Sequence, residues 1–223
     1  MLSPILSDYK DIILLLKRKQ VYLQNASLDK QGEHILSLLT NLIADIDGLN
    51  FSKLSSLTKL NVDKETLVLA LLTSNAGGII KQLSQVYPRN EDNLTLERKV
   101  RLSEQLSLIG DAVLQAAFHT YLSEQDYDEI AILSKVLLKR NISSVEGTYT
   151  ELAKNLVSNT NLEKLWLSWG IEPSLGNHLK PNEATHSRAT MVETLIGALF
   201  LQNKFRIIVN FIPDWINLVR QKS

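Results

Sequence analysis

Cysteine is absent from the 223 residues, which removes disulfides, thiolate metal ligands and zinc fingers from consideration and fits a reducing compartment. Net charge is missing too, since 24 Lys and Arg balance 24 Asp and Glu. A protein held to nucleic acid chiefly by phosphate contacts is usually basic, so bulk charge does not favour free-standing, high-affinity RNA binding. Long apolar runs are equally scarce. The stretch from Ile12 to Leu16 falls far short of the roughly 20 residues that span a bilayer, and no membrane partner is expected. The N-terminus carries Asp8 and Asp11 ahead of Lys17, Arg18 and Lys19. It shows neither a small-residue cleavage site nor an Arg- and Ser-rich, acid-poor presequence.

What is present is helical periodicity over a chain that is 44% apolar, enough to bury a core without help from metals. Residues 5–24 and 33–47 carry apolar side chains at helical spacing, among them Ile12, Leu15, Leu16 and Leu23, then Ile35, Leu39, Leu42 and Ile46. They predict a helical hairpin joined by the turn-prone stretch 25–32 and closed at Asp47-Gly48. A partly helical linker runs to about Leu60, and Asp63 is placed to cap a helix over 64–72. Tyr87-Pro88 breaks the next helix, after which 96–121 runs as one long helix. Shorter helices follow over 126–140, 148–157 and 162–169, then a loop over 173–186. The last two helices cover 187–202 and 205–220, the latter kinked or split by Pro213. No alternating run demands a sheet. The expected fold is all-α, with a hairpin extension over 1–62 and a helical domain over 63–223.

The most informative segment is Glu104-Gln105-Leu106-Ser107-Leu108-Ile109-Gly110-Asp111-Ala112-Val113-Leu114. At about 100° per residue, Glu104 and Asp111 fall roughly 20° apart with Ser107 about 60° to one side, so one face presents all three. Glycine inside a helix costs about 1 kcal/mol relative to alanine, so Gly110 is expected to serve close backbone packing. A second segment, Ala189-Thr190-Met191-Val192-Glu193-Thr194-Leu195-Ile196-Gly197-Ala198-Leu199-Phe200, repeats the combination of polar residues and a mid-helix glycine.

The first segment resembles the ribonuclease III signature Glu-Arg-Leu-Glu-Phe-Leu-Gly-Asp-(Ser/Ala)-Val-Leu, and the second resembles that family's Ala-Asp-x-x-Glu-Ala-Leu-Ile-Gly-Ala-(Ile/Val)-Tyr. Leu69–Asn75 is similar to the Ala-Leu-Thr-His-Ser segment without its histidine. The stretch from Leu156 to Leu165, with Trp169-Gly170-Ile171, is similar to the Val-Ser to Leu-Gly-Leu segment. The resemblance covers about residues 65–220. It implies four carboxylates on two helices that gather magnesium for RNA phosphodiester hydrolysis. Asp111 and Glu193 keep two of these positions, whereas Ser107 and Thr190 replace a Glu and an Asp. A divalent ion and one carboxylate about 4 Å apart attract by roughly 8 kcal/mol at an effective dielectric of 20, before desolvation is counted. Magnesium needs charged oxygen ligands, so the expectation is a remnant valley of Glu104, Ser107, Asp111, Thr190 and Glu193. Catalysis is not expected there, and any metal held by Asp111 and Glu193 is held weakly. No cofactor is expected, and Mg2+ enters only if the chain is an active nuclease. Glu104, which matches a further family acid, is expected to make an ion pair or hydrogen bond beneath the valley.

Other residues read more plainly. His34, His119, His178 and His186 have no metal-site spacing, and Trp166, Trp169 and Trp215 sit among apolar neighbours as packing residues. Lys17-Arg18-Lys19, Arg98-Lys99 with Arg101, Lys135 and Lys139-Arg140 are candidate basic patches, though charged runs on helices are usually solvated faces.

The resemblance implies a dimer, because family domains pair through their signature helices about a two-fold axis. Leu106, Leu108, Ile109, Val113 and Leu114 are the expected pairing surface. The chain stops some 20 residues after the second motif, and no double-stranded-RNA-binding module is expected. A ribonuclease III fold without catalysis is similar to the fungal mitochondrial large-ribosomal-subunit member of the family. The implied role is architectural, with a ribonuclease III-like partner chain, ribosomal RNA and ribosomal proteins as partners and the mitochondrial matrix as location. The alternatives are a magnesium-dependent double-stranded-RNA endonuclease, or an inactive partner subunit of an RNA-processing heterodimer.

Overall fold

A computed structural model describes residues 11–58, 60, 62–86, 91–139, 145–181 and 185–221. The fold is all-α, with no strand among the described residues. Helices α1 (Asp11–Gln24) and α2 (Lys30–Asp47) form the expected hairpin. The start of the first expected helix, 5–10, lies outside the described residues. The Asp29 carboxylate accepts from the Gly32 backbone N–H at 2.8 Å and so fixes the first turn of α2. The stretch read as a partly helical linker is α3 (Phe51–Thr58). Asp63 caps α4 (Lys64–Leu71) as expected, accepting from the Thr66 N–H at 2.7 Å. Helix α5 (Asn75–Val86) follows, and then the 33-residue α6 (Glu91–Ser123).

Past α6, the region expected as one helix over 126–140 divides. It is α7 (Tyr127–Leu133) continued by a π-helical turn (Ser134–Leu138) that ends on Lys139 in the left-handed conformation, φ 54°. Next come α8 (Val145–Leu156) and α9 (Asn159–Trp169), the latter ended by Gly170 at φ 61°, where a side chain would be strained. A 3-10 turn (Glu172–Ser174) leads into the loop ahead of α10 (Thr185–Leu201), and α11 (Phe205–Gln221) follows. Of the kink or split expected in α11, the split does not occur at Pro213. Its missing N–H costs one helical bond, but Ile208, Val209, Ile212, Trp215, Ile216 and Val219 bury a continuous face on both sides of it.

The core centres on α6 and α10. Phe118 and Trp215 meet edge to face at 5.0 Å within it, and Trp166, Trp169 and Trp215 are buried packing residues as expected. The hairpin packs onto α5 and α6 and shares the core. It is also tied to the far end of the sequence. Asp45 on α2 accepts from the His178 backbone N–H at 2.9 Å, and His178 Nδ1 lies 2.8 Å from the same oxygen. Gly176 leaves room for that carboxylate, because a Cβ there would overlap the Asp45 side chain.

Candidate functional site

Two helices build the valley, and glycine sets how near they come. A Cβ on Gly110 of α6 would overlap the backbone carbonyl of Glu193, and one on Gly197 of α10 would overlap the carbonyl of Leu106. The crossing is therefore backbone against backbone at two reciprocal points, which bears out the packing role expected for Gly110. Thr194 adds a polar link between the helices, its hydroxyl lying 3.3 Å from the Ser103 carbonyl and 2.8 Å from that of Thr190.

This crossing places Asp111 and Glu193 together. Burial, reinforced by the negative charge of Asp111, pushes the Glu193 carboxyl up to about 7. The Asp111 carboxylate accepts from Gln115 Nε2 at 3.2 Å through both oxygens. Ser107 and Thr190 flank the pair on the same two helices, and both hydroxyls donate to their own backbone. Ser107 Oγ reaches the Glu104 carbonyl at 2.8 Å and Thr190 Oγ1 the His186 carbonyl at 2.9 Å. Only neutral lone pairs remain to them.

Glu104 makes the expected ion pair, with Lys81 Nζ at 2.6 Å, but both side chains are about half exposed. The pair stands at the rim of the valley and not beneath it. Beside the rim opens a cleft of about 350 Å³, lined by Thr73, Ser74, Gly77, Gly78, His186 and Ser187 along with Lys81, Glu104 and Thr190. Thr73 and Ser74 come from the segment that the sequence likens to Ala-Leu-Thr-His-Ser. Lining by α5 and its double glycine was not foreseen, although Gly77-Gly78 inside a helical stretch was a visible signal.

Arg188 was also overlooked. It lies five residues before Glu193 on α10, and its Nε donates to Glu172 at 2.7 Å and its Nη1 to Glu163 at 2.8 Å. Trp166 Nε1 donates to the same Glu172 oxygen at 2.7 Å. The two carboxylates hold Arg188 more firmly charged than usual, and the base of α10 is anchored to α9. No spacing rule links residues 163, 172 and 188, so periodicity alone could not find the cluster.

The valley fits the magnesium centre implied by the resemblance poorly. Among the described residues no three His, Cys, Asp or Glu side chains converge as a metal-binding group. The donors present are two carboxylates, one of them close to half protonated at neutrality, and two hydroxyls. Hard divalent ions depend on anionic oxygens that this set lacks.

Two expectations about surfaces are corrected. Leu106, Val113 and Leu114 are buried on the inner face of α6 and cannot form a pairing surface, whereas Leu108 is 75% exposed and Ile109 partly so. The outward stripe continues through Ala112 and Ala116. Two of the basic clusters are reduced to single exposed cations, Arg18 and Arg98. Lys19 is buried, and that burial pulls its ammonium below the usual lysine value, while Lys17 pairs with Asp47 at 2.7 Å. Lys99 is buried as well, and Arg101 contacts Glu97 at 3.5 Å. Arg140 lies outside the described residues. Of the histidines, His178 serves the Asp45 link and His186 lines the cleft, its Nδ1 3.4 Å from Asn159 Nδ2.

No helix among the described residues is long and apolar enough to cross a membrane. Neither the curated proteins nor the solved structures yield a match to the chain. The stretch from Glu104 to Lys204, which holds the whole Gly110–Gly197 crossing and both valley carboxylates, matches the family model of the ribonuclease III domain.

Proposed function

We propose that this protein is a catalytically inactive ribonuclease III-type subunit that binds RNA and pairs with another chain of the same fold through the exposed stripe of α6. The observation that carries the reading is the state of the valley. Two hydroxyls committed to their own helices stand where charged ligands are needed, and burial holds Glu193 near half protonation at neutral pH. A backbone-to-backbone crossing kept intact around a depleted donor set favours a scaffold over a hydrolase. The finer assignment is an architectural component of the mitochondrial large ribosomal subunit, in the matrix, against ribosomal RNA and ribosomal proteins. It rests on the resemblance of the two motifs to the degenerate ribosomal member of the family, and on fold analogy.

A second reading, a magnesium-dependent double-stranded-RNA endonuclease, is favoured by one observation. Asp111 and Glu193 remain neighbours close enough for the charge of one to raise the pKa of the other.

The deciding experiment is incubation of purified protein with long double-stranded RNA and magnesium, then manganese, with Asp111→Ala as control. No cutting is expected from a folded, paired preparation. Metal-dependent cutting abolished by Asp111→Ala would replace the scaffold by the nuclease.

A further inference from the structure

In the expected basic patches at 17–19 and 98–101, Lys17 and Arg101 contact carboxylates and Lys19 and Lys99 are buried, which leaves Arg18 and Arg98 as single exposed cations, whereas the patch around residue 135 keeps two. Lys135 and Lys139 lie on and just after the π-helical turn Ser134–Leu138, both are exposed, and neither has an ion-pair partner among the described residues. Helix α8 packs against that turn, and its last turn carries Lys154, likewise exposed and unpaired. In a chain of zero net charge, these are three exposed lysines without ion-pair partners among the described residues, carried by two consecutive elements that pack together.

Backbone geometry gives an independent reason to single it out. Lys139 is held at φ 54°, a left-handed conformation that glycine and asparagine adopt readily and lysine avoids. The other non-glycine residue there, among those described, is Asn203, a residue suited to it. Glycine at 139 would relieve the strain, so a lysine there points to a use for its side chain. A π-helical turn is itself a rare insertion that is frequent at functional sites. Lysines at helix C-termini also complement the helix dipole, but that benefit would appear as stability and not as RNA affinity.

We propose that Lys135 and Lys139, with Lys154 beside them, form a phosphate-contacting surface for the RNA backbone, outside the valley. This rests on the RNA-binding part of the proposed function and names where the backbone is gripped.

The test is binding of the full chain to a duplex RNA of about 25 base pairs, longer than the roughly 16 that a compact double-stranded-RNA module spans, across a salt series. Each lost phosphate contact should weaken binding roughly eightfold at about 0.1 M salt and flatten the log–log salt slope by about 0.9. Lys139→Gly should do this while raising Tm, and Lys135→Gln should do it with Tm unchanged. Arg18→Gln, which removes an unpaired cation on α1, should leave both readouts alone. If the wild type binds and the Lys135 and Lys139 variants bind with the same affinity and slope, the surface is wrong while the RNA reading stands. Equal weakening by Arg18→Gln would also overturn it, since the grip would then be diffuse. If the wild type binds no duplex at any salt, both the surface and the RNA reading fall.

Discussion

Gly110 on α6 rests directly on the backbone carbonyl of Glu193 on α10. The contact is with backbone, so no side chain can swing aside to admit a methyl group. Helix propensity alone predicts that Gly110→Ala stabilises by about 1 kcal/mol. Overpacking against a rigid carbonyl predicts a loss of about 1–3 kcal/mol or more. We expect the loss to win, read as a lower urea midpoint at unchanged m-value, with Gly197→Ala behaving alike.

Glu193 makes stability depend on pH in a definite direction. Its carboxyl titrates near 4.5 when unfolded and about 7 in the fold. Between those values the native state keeps a proton that the unfolded chain has released, so stability from this group is greatest below pH 4.5. It declines as pH rises to 7, then levels off. Glu193→Gln should match the wild type near pH 4.5 and exceed it at pH 8 by about 1–2 kcal/mol after solvent screening. Parallel denaturation curves at both pH values would show no difference if burial were unimportant.

Returning Ser107→Glu and Thr190→Asp together should raise magnesium affinity on the order of tenfold or more, since ligand charge count dominates binding of hard cations. Titration calorimetry reads the change. No gain would mean that the two helix faces no longer aim at a common point.

Leu108 and Leu106 stand two residues apart with opposite fates, one 75% exposed and the other fully buried. Leu108→Lys is expected to abolish pairing in sedimentation experiments and leave Tm within a few degrees of wild type. Leu106→Ala should cost about 2–5 kcal/mol. Pairing unaffected by Leu108→Lys would move the interface away from α6.

Much of the fold was legible because its helices obey simple rules. Asp63 had the position of a cap and became one, and Gly110 had no reason to sit in a helix except close approach. Failures arose where side-chain direction or tertiary context overrode pattern. Leu106, Val113 and Leu114 looked like surface because they belong to a motif associated with pairing, yet helical phase turns them into the core. Pro213 looked like a kink or a split, and burial on both sides of it kept the helix from splitting. The π-helical turn has no periodic signature within five residues. At the candidate site, Asp111 and Glu193 could be placed from their motifs, while the Arg188 cluster joins residues with no common spacing.

The bond between Asp45 and His178 spans 133 positions, and it bears on how the chain acquires its structure. Closing so long a loop carries an entropic cost that grows as (3/2)RT ln n, and contacts this remote slow folding. During synthesis the hairpin is made early, but its anchoring partner emerges from the ribosome only after most of the domain has been translated. The apolar faces of α1 and α2 meet α5 and α6 earlier, so what waits for residue 178 is the polar tie. The tie of α2 to the 176–178 loop is thus expected to be the last of the hairpin's contacts to form.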